Sequence, residues 1–65
     1  NIMIITRTST LSGHTSSMDI DVTLEQMASW EQGELVQNAM PNLSADEREF
    51  IMTGITPAEW NEMFN

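Results

Sequence analysis

The chain has no cysteine, no lysine, one histidine, and only two arginines against ten acidic residues. Each shortage removes a class of function. Without cysteine there is neither a disulfide nor a thiolate zinc site, and His14 alone cannot assemble an ordinary one. Absence of cysteine also accords with a reducing compartment. With a formal net charge of −8, the chain has almost no cations with which to displace the counterions of a phosphate backbone. Direct nucleic-acid binding and attachment to anionic membranes are therefore disfavoured, and a basic protein partner is what this charge favours. No apolar run reaches the roughly 18 residues of a membrane span. The opening NIMIITRTST has too short an apolar core and no basic flank for a secretory signal. These features predict a soluble, cytoplasmic protein without a cofactor.

Length sets the next limit. A chain of 65 residues has room for one domain, here 1–65, and buries only about 60% of the surface its unfolded form exposes. Small domains supplement such a core with disulfides, a metal or a partner chain. Disulfides and ordinary zinc sites are excluded by the residues, so self-association into a homo-oligomer is the expected support.

What is present falls into two parts, 1–22 and 23–65. Residues 2–10 and 17–22 have the pattern of two strands. IMIIT is apolar and β-branched, and Met18-Asp19-Ile20-Asp21-Val22 alternates with period two, which places Met18, Ile20 and Val22 on a buried face and both aspartates on a wet one. The intervening segment centred on Gly13 is turn chemistry. Two hairpin registers are compatible with it. A two-residue loop at Ser12-Gly13 pairs Met3 with Val22, Ile5 with Ile20 and Arg7 with Met18. A three-residue loop sets Arg7 opposite Asp19 and Ile4 opposite Val22. The ion pair in the second is worth about 0.2–1 kcal/mol, too little to choose between them.

From Thr23 onward the spacing is helical. Thr23-Leu24-Glu25-Gln26, Ser44-Ala45-Asp46-Glu47 and Thr56-Pro57-Ala58-Glu59 are three capping boxes, a hydroxyl followed three residues later by Glu or Gln. Proline stands at the first helical position of the third, where its missing N–H costs nothing. Val22 with Met27 and Ile55 with Trp60 have the spacing of hydrophobic staples. Gly33, Pro41 and Gly54 supply stops. Helices are predicted near 24–32, 34–40, 45–53 and 57–64. The first two join into one helix bent at Gly33 if Leu24, Ala28, Leu35 and Ala39 form the buried stripe. The predicted fold is α+β: an N-terminal two-stranded antiparallel β-hairpin packed against three or four short α-helices, whose cover an isolated hairpin requires.

Candidate chemistry is sparse. His14 lies at the hairpin tip without a nucleophile or second ligand, which fits an exposed turn histidine better than a proton shuttle. Asp19 and Asp21 stand about 6.5–7 Å apart along a strand. That spacing suits a divalent cation or an acid–base pair, but a solvated strand face explains it more simply. The capped pair over 43–64 has the outline of a helix-turn-helix, yet its second helix offers glutamates and no cation to DNA. Trp60, Met63 and Phe64 form an i, i+3, i+4 apolar stripe, and Trp30 sits off the main stripe of the first helix. Core packing explains most of these residues, although a small fold struggles to bury two tryptophans and exposed aromatics mark interfaces.

The block Met40 to Trp60, MPNLSADEREFIMTGITPAEW, together with Thr6-Arg7-Thr8-Ser9 and Asp19-Ile20-Asp21-Val22-Thr23, resembles a group of short uncharacterised bacteriophage-encoded proteins. The likeness covers most of the chain. It implies a viral origin and expression in bacterial cytoplasm, and implies no fold, activity or functional residue.

Together these readings predict a non-enzymatic accessory protein that binds and modulates a protein partner. Asp46, Glu47, Glu49, Glu59 and Glu62 would steer it to a basic surface, and Trp30 and Trp60 would anchor it. In a sharper form the acids mimic nucleic-acid phosphates and inhibit a host factor. The alternative is a self-associating structural or virion-assembly protein, since IMIIT is an apolar edge that no lysine or proline guards. An enzyme built on Asp19, Asp21 or His14 is the least supported reading.

Overall fold

A computed structural model describes residues 2–64. Asn1 and Asn65, which the expected domain includes, lie outside the described residues. The order is β1 (Ile2–Thr8), β2 (Thr15–Asp21), α1 (Leu24–Glu31), α2 (Val36–Ala39), α3 (Ala45–Thr53) and α4 (Pro57–Phe64). The α+β architecture, an antiparallel hairpin followed by four short helices, is as the sequence predicts.

The hairpin register differs from both expected ones. Met3 stands opposite Ile20, Ile5 opposite Met18, Arg7 opposite Ser16 and Thr8 opposite Thr15. The faces agree with the two-residue-loop register, but the pairing is slid by two residues because the turn, closed between Ser9 and His14, is centred on Leu11-Ser12, one residue earlier than expected. Ser9 N–H donates to His14 O at 2.8 Å and Gly13 N–H to Ser9 O at 3.0 Å, with Gly13 in the left-handed region at φ 80°. Ser9, itself buried, accepts from the N–H groups of Leu11 and Ser12 at 3.2 and 3.3 Å. This hydroxyl-nucleated turn ends β1 at Thr8, where the sequence suggested position 10, and starts β2 at Thr15.

Arg7 accordingly faces neither Met18 nor Asp19, the two neighbours the alternative registers gave it. Its Nε donates to Ile51 O at 3.0 Å, inside the last turn of α3. A cation there meets the negative end of the helix dipole and one of its orphan carbonyls.

All three capping boxes form. Thr23 and Gln26 exchange bonds at 3.0 and 3.1 Å, Ser44 and Glu47 at 2.9 and 3.2 Å, and Thr56 and Glu59 at 3.3 and 3.2 Å. Helix α2 has no such box. It is one turn long, with Leu35 at its N-cap and no side-chain bond, so it starts two residues later than expected. Gly33, at φ 109°, separates α1 from α2 and rules out the single bent helix. The proposed stripe fails with it. Leu24 and Leu35 are exposed, while Met27, Trp30 and Val36 pack against the core. Trp30 therefore belongs to the packed face of α1, contrary to the expected position off the stripe.

The core joins Ile5, Ile20 and Val22 of the hairpin to Ala39, Met40 and Leu43 and to Phe50 and Ile51 of α3. Helix α3 runs along the hairpin. Near its start, Asn42 Nδ2 donates to Asp21 O at 2.8 Å while Asn42 Oδ1 accepts from Gln26 Nε2 at 2.9 Å, joining the open end of the hairpin to α1. At its finish, Thr10 N–H donates to Thr53 O at 3.0 Å, and Gly54 lies against the backbone of Thr8. The molecule is elongated, with extents of 34 × 19 × 18 Å.

Candidate functional site

The acids predicted to form a recognition surface are distributed by this geometry between two ends. Asp46 and Glu47 occupy the first turn of α3, beside the open end of the hairpin. Glu59 lies on α4 and reaches the hairpin tip. Nine residues of helix separate the ends of α3, about 13 Å at 1.5 Å per residue. Glu49 is half-buried between them, and Asp46 and Glu62 are exposed.

Two of these carboxylates are engaged within the chain. Glu47 Oε1 accepts the Ser44 N–H. Glu59 is more committed: Oε1 accepts the Thr56 N–H at 3.3 Å, and Oε2 accepts the hydroxyls of Ser9, at 3.0 Å, and Ser12. The Ser12 hydrogen bond is the largest influence holding the Glu59 carboxyl below its ordinary value. Partial burial opposes it, and the Thr56 amide, Ser9 and the charge of His14 add to the lowering. Glu59 is thus a clamp between the third capping box and the hairpin tip. The capping spacing was legible in the sequence; the serine contacts, fifty and forty-seven residues away, carried no local signal.

The clamp matters because α4 has little else to hold it. None of its residues is fully buried. Trp60 is half-buried and stacks on Phe64, with ring centroids 5.7 Å apart and planes 6° from parallel. Phe64 is 76% exposed, and Met63 is exposed beside it. The two tryptophans consequently play different parts: Trp30 packs on the core, while Trp60 belongs to an aromatic pair on a surface helix.

The remaining candidates lie on the surface of the hairpin. His14 is exposed and contributes backbone groups to the turn. Asp19 and Asp21 lie on the exposed hairpin face, opposite Ile4 and Ile2. Among the described residues no three of His, Asp and Glu cluster to hold a metal, no cavity opens, and no helix is long and apolar enough to cross a membrane.

No family model, no curated protein and no solved structure matches the chain.

Proposed function

We propose that this chain is a small acidic binding protein whose helix α4 docks onto a basic surface of a protein partner and modulates it. The observation that carries this reading is the presentation of α4. A polar clamp at Glu59 fixes the helix to the hairpin tip, and its large apolar side chains stay outside the core. A stacked Trp60–Phe64 pair offers a flat aromatic surface to a guanidinium or ammonium group. Glu62 adds a carboxylate on the same helix. With Arg7 directed at a helix carbonyl, the −8 charge presents an almost wholly anionic exterior, which speeds encounter with cationic surfaces.

The resemblance to bacteriophage-encoded proteins would set this binding in an infected bacterial cytoplasm, against a host or phage protein. Nucleic-acid mimicry is the narrower form, with Asp46, Glu47 and Glu49 on α3 substituting for phosphates. Competition by duplex DNA for the same partner distinguishes it.

An arginine- and lysine-rich peptide titrated into isotopically labelled protein tests the general reading. Resonances of Trp60, Glu62, Met63 and Phe64 should move together, and affinity should fall steeply as salt rises past a Debye length of about 10 Å near 0.1 M. Shifts spread evenly over every acidic residue, or binding indifferent to salt, would remove α4 as the docking element.

A further inference from the structure

The two faces and two edges of the hairpin differ in charge and in backbone state. The turn-closing bond from Ser9 N–H to His14 O fixes which residues direct their backbone groups across the ladder. In an antiparallel pair these positions alternate, so Met3, Ile5 and Arg7 bond to β2 while Ile2, Ile4, Thr6 and Thr8 direct theirs away from it. The surroundings agree. Thr6 O accepts Arg7 Nη1 at 3.0 Å, and the Thr8 carbonyl abuts Gly54 so closely that a Cβ there would lie 2.5 Å from it. The β1 edge is closed at Thr8 and open from Ile2 to the Thr6 N–H.

That open stretch is also the part of the hairpin free of acid. β1 reads IMIITRT and β2 reads TSSMDID. Ile2 and Ile4 are 65% and 72% exposed, with Asp21 and Asp19 across from them on β2. Pairing through the β2 edge would bring the aspartates of two copies side by side. Pairing through β1 places two strands between them.

We propose that the open edge of β1 pairs with the same edge of a second copy, antiparallel about a two-fold axis at Ile4. Ile4 then exchanges both backbone bonds with its symmetry mate, and Ile2 pairs with Thr6 of the other chain, using the second lone pair of the Thr6 carbonyl. The partner strand's Ile2 is thereby set two residues from the closure at Thr8. On the outer face Ile2 and Ile4 of both copies form one apolar strip, and on the inner face Met3 meets Ile5. The hairpin becomes half of a four-stranded sheet, which supplies the support a two-stranded one lacks. Two chains of −8 repel, so salt strengthens this association, the reverse of its effect on a basic partner.

Sedimentation equilibrium of the intact chain, up to about 1 mM, reads the association. The wild type should pass from monomer to dimer, more readily at moderate than at low salt. Ile4→Lys and Ile4→Glu each place like charges opposite across the axis at an exposed position, and each should weaken dimerisation at least about tenfold while circular dichroism stays native. Mixed in equal amounts, the two variants should recover a heterodimer. A wild type that remains monomeric throughout, or variants that dimerise as it does, would overturn the proposal. So would single variants that lose association and a mixture that fails to restore it, since the axis would then lie elsewhere.

Discussion

Helices α3 and α4 have nearly the same length, and each starts at a hydroxyl residue with glutamate three positions later, yet their tertiary environments share little. α3 buries Phe50 and Ile51, takes Arg7 on its last turn, and ends in a left-handed Gly54 whose N–H donates to Phe50 O at 2.8 Å. α4 buries no residue fully and is tied to the hairpin by hydroxyl–carboxylate bonds. Equal capping gives equal helices, but burial decides which of them supports the fold and which is left to present a surface.

The largest break in that contrast should come from α3. Phe50→Ala removes a fully buried ring and should cost about 3–5 kcal/mol, enough to abolish the cooperative urea transition of so small a domain. Phe64→Ala on α4 should change the unfolding free energy by less than about 1 kcal/mol, losing a surface stack.

Gly54 sharpens the comparison at the next level. Gly54 and Gly13 share nearly the same φ, 78° and 80°, but a Cβ on Gly54 would strike Thr8 O while one on Gly13 meets open space. Gly13→Ala should cost about 1–2 kcal/mol for the left-handed conformation alone, and Gly54→Ala clearly more. Thermal melts of the two variants measure the excess that belongs to the packing of α3 against β1.

The clamp on α4 has a pH signature. Because the Glu59 carboxyl is held below its ordinary value of 4.5, its contribution is fully present above that value. It is lost as pH falls through the lower folded value. Trp60 fluorescence and the Thr56 and Glu59 amide resonances should report α4 loosening in that acid range, before the α3 core changes. Glu59→Gln should remove the step, and Ser12→Ala should shift it upward. The smallest effect is expected at Glu62→Gln, within about 0.5 kcal/mol in stability, while binding to the cationic peptide weakens.

Legibility followed the range of the interactions. Gly33 left both a break and a bend open, whereas three helix starts, the break at Gly54 and the buried face of β2 were all readable, because each depends on residues within four positions or on strand alternation. The hairpin register was not, since Ser9 builds a turn that neighbouring residues do not announce. The stripe through Leu24 and Leu35 misled for a related reason. Helical periodicity shows that a face exists, whereas Met27 and Trp30 were chosen by where α1 meets the core. At the candidate site the aromatic stripe of α4 was visible, but the engagement of Glu59 and the separation of Asp46 and Glu47 from it were not.

The sequence by itself determined the α+β class, the three capped helix starts and the acidity of the surface, since caps, dipoles and net charge act locally or simply sum. Tertiary structure alone decided that Arg7 serves a helix end, that Trp30 packs inward while Trp60 remains at the surface, and that Glu59 holds α4 to the hairpin tip. Those outcomes depend on which distant segments meet, and the core of Ile20, Met40 and Phe50 brings them together.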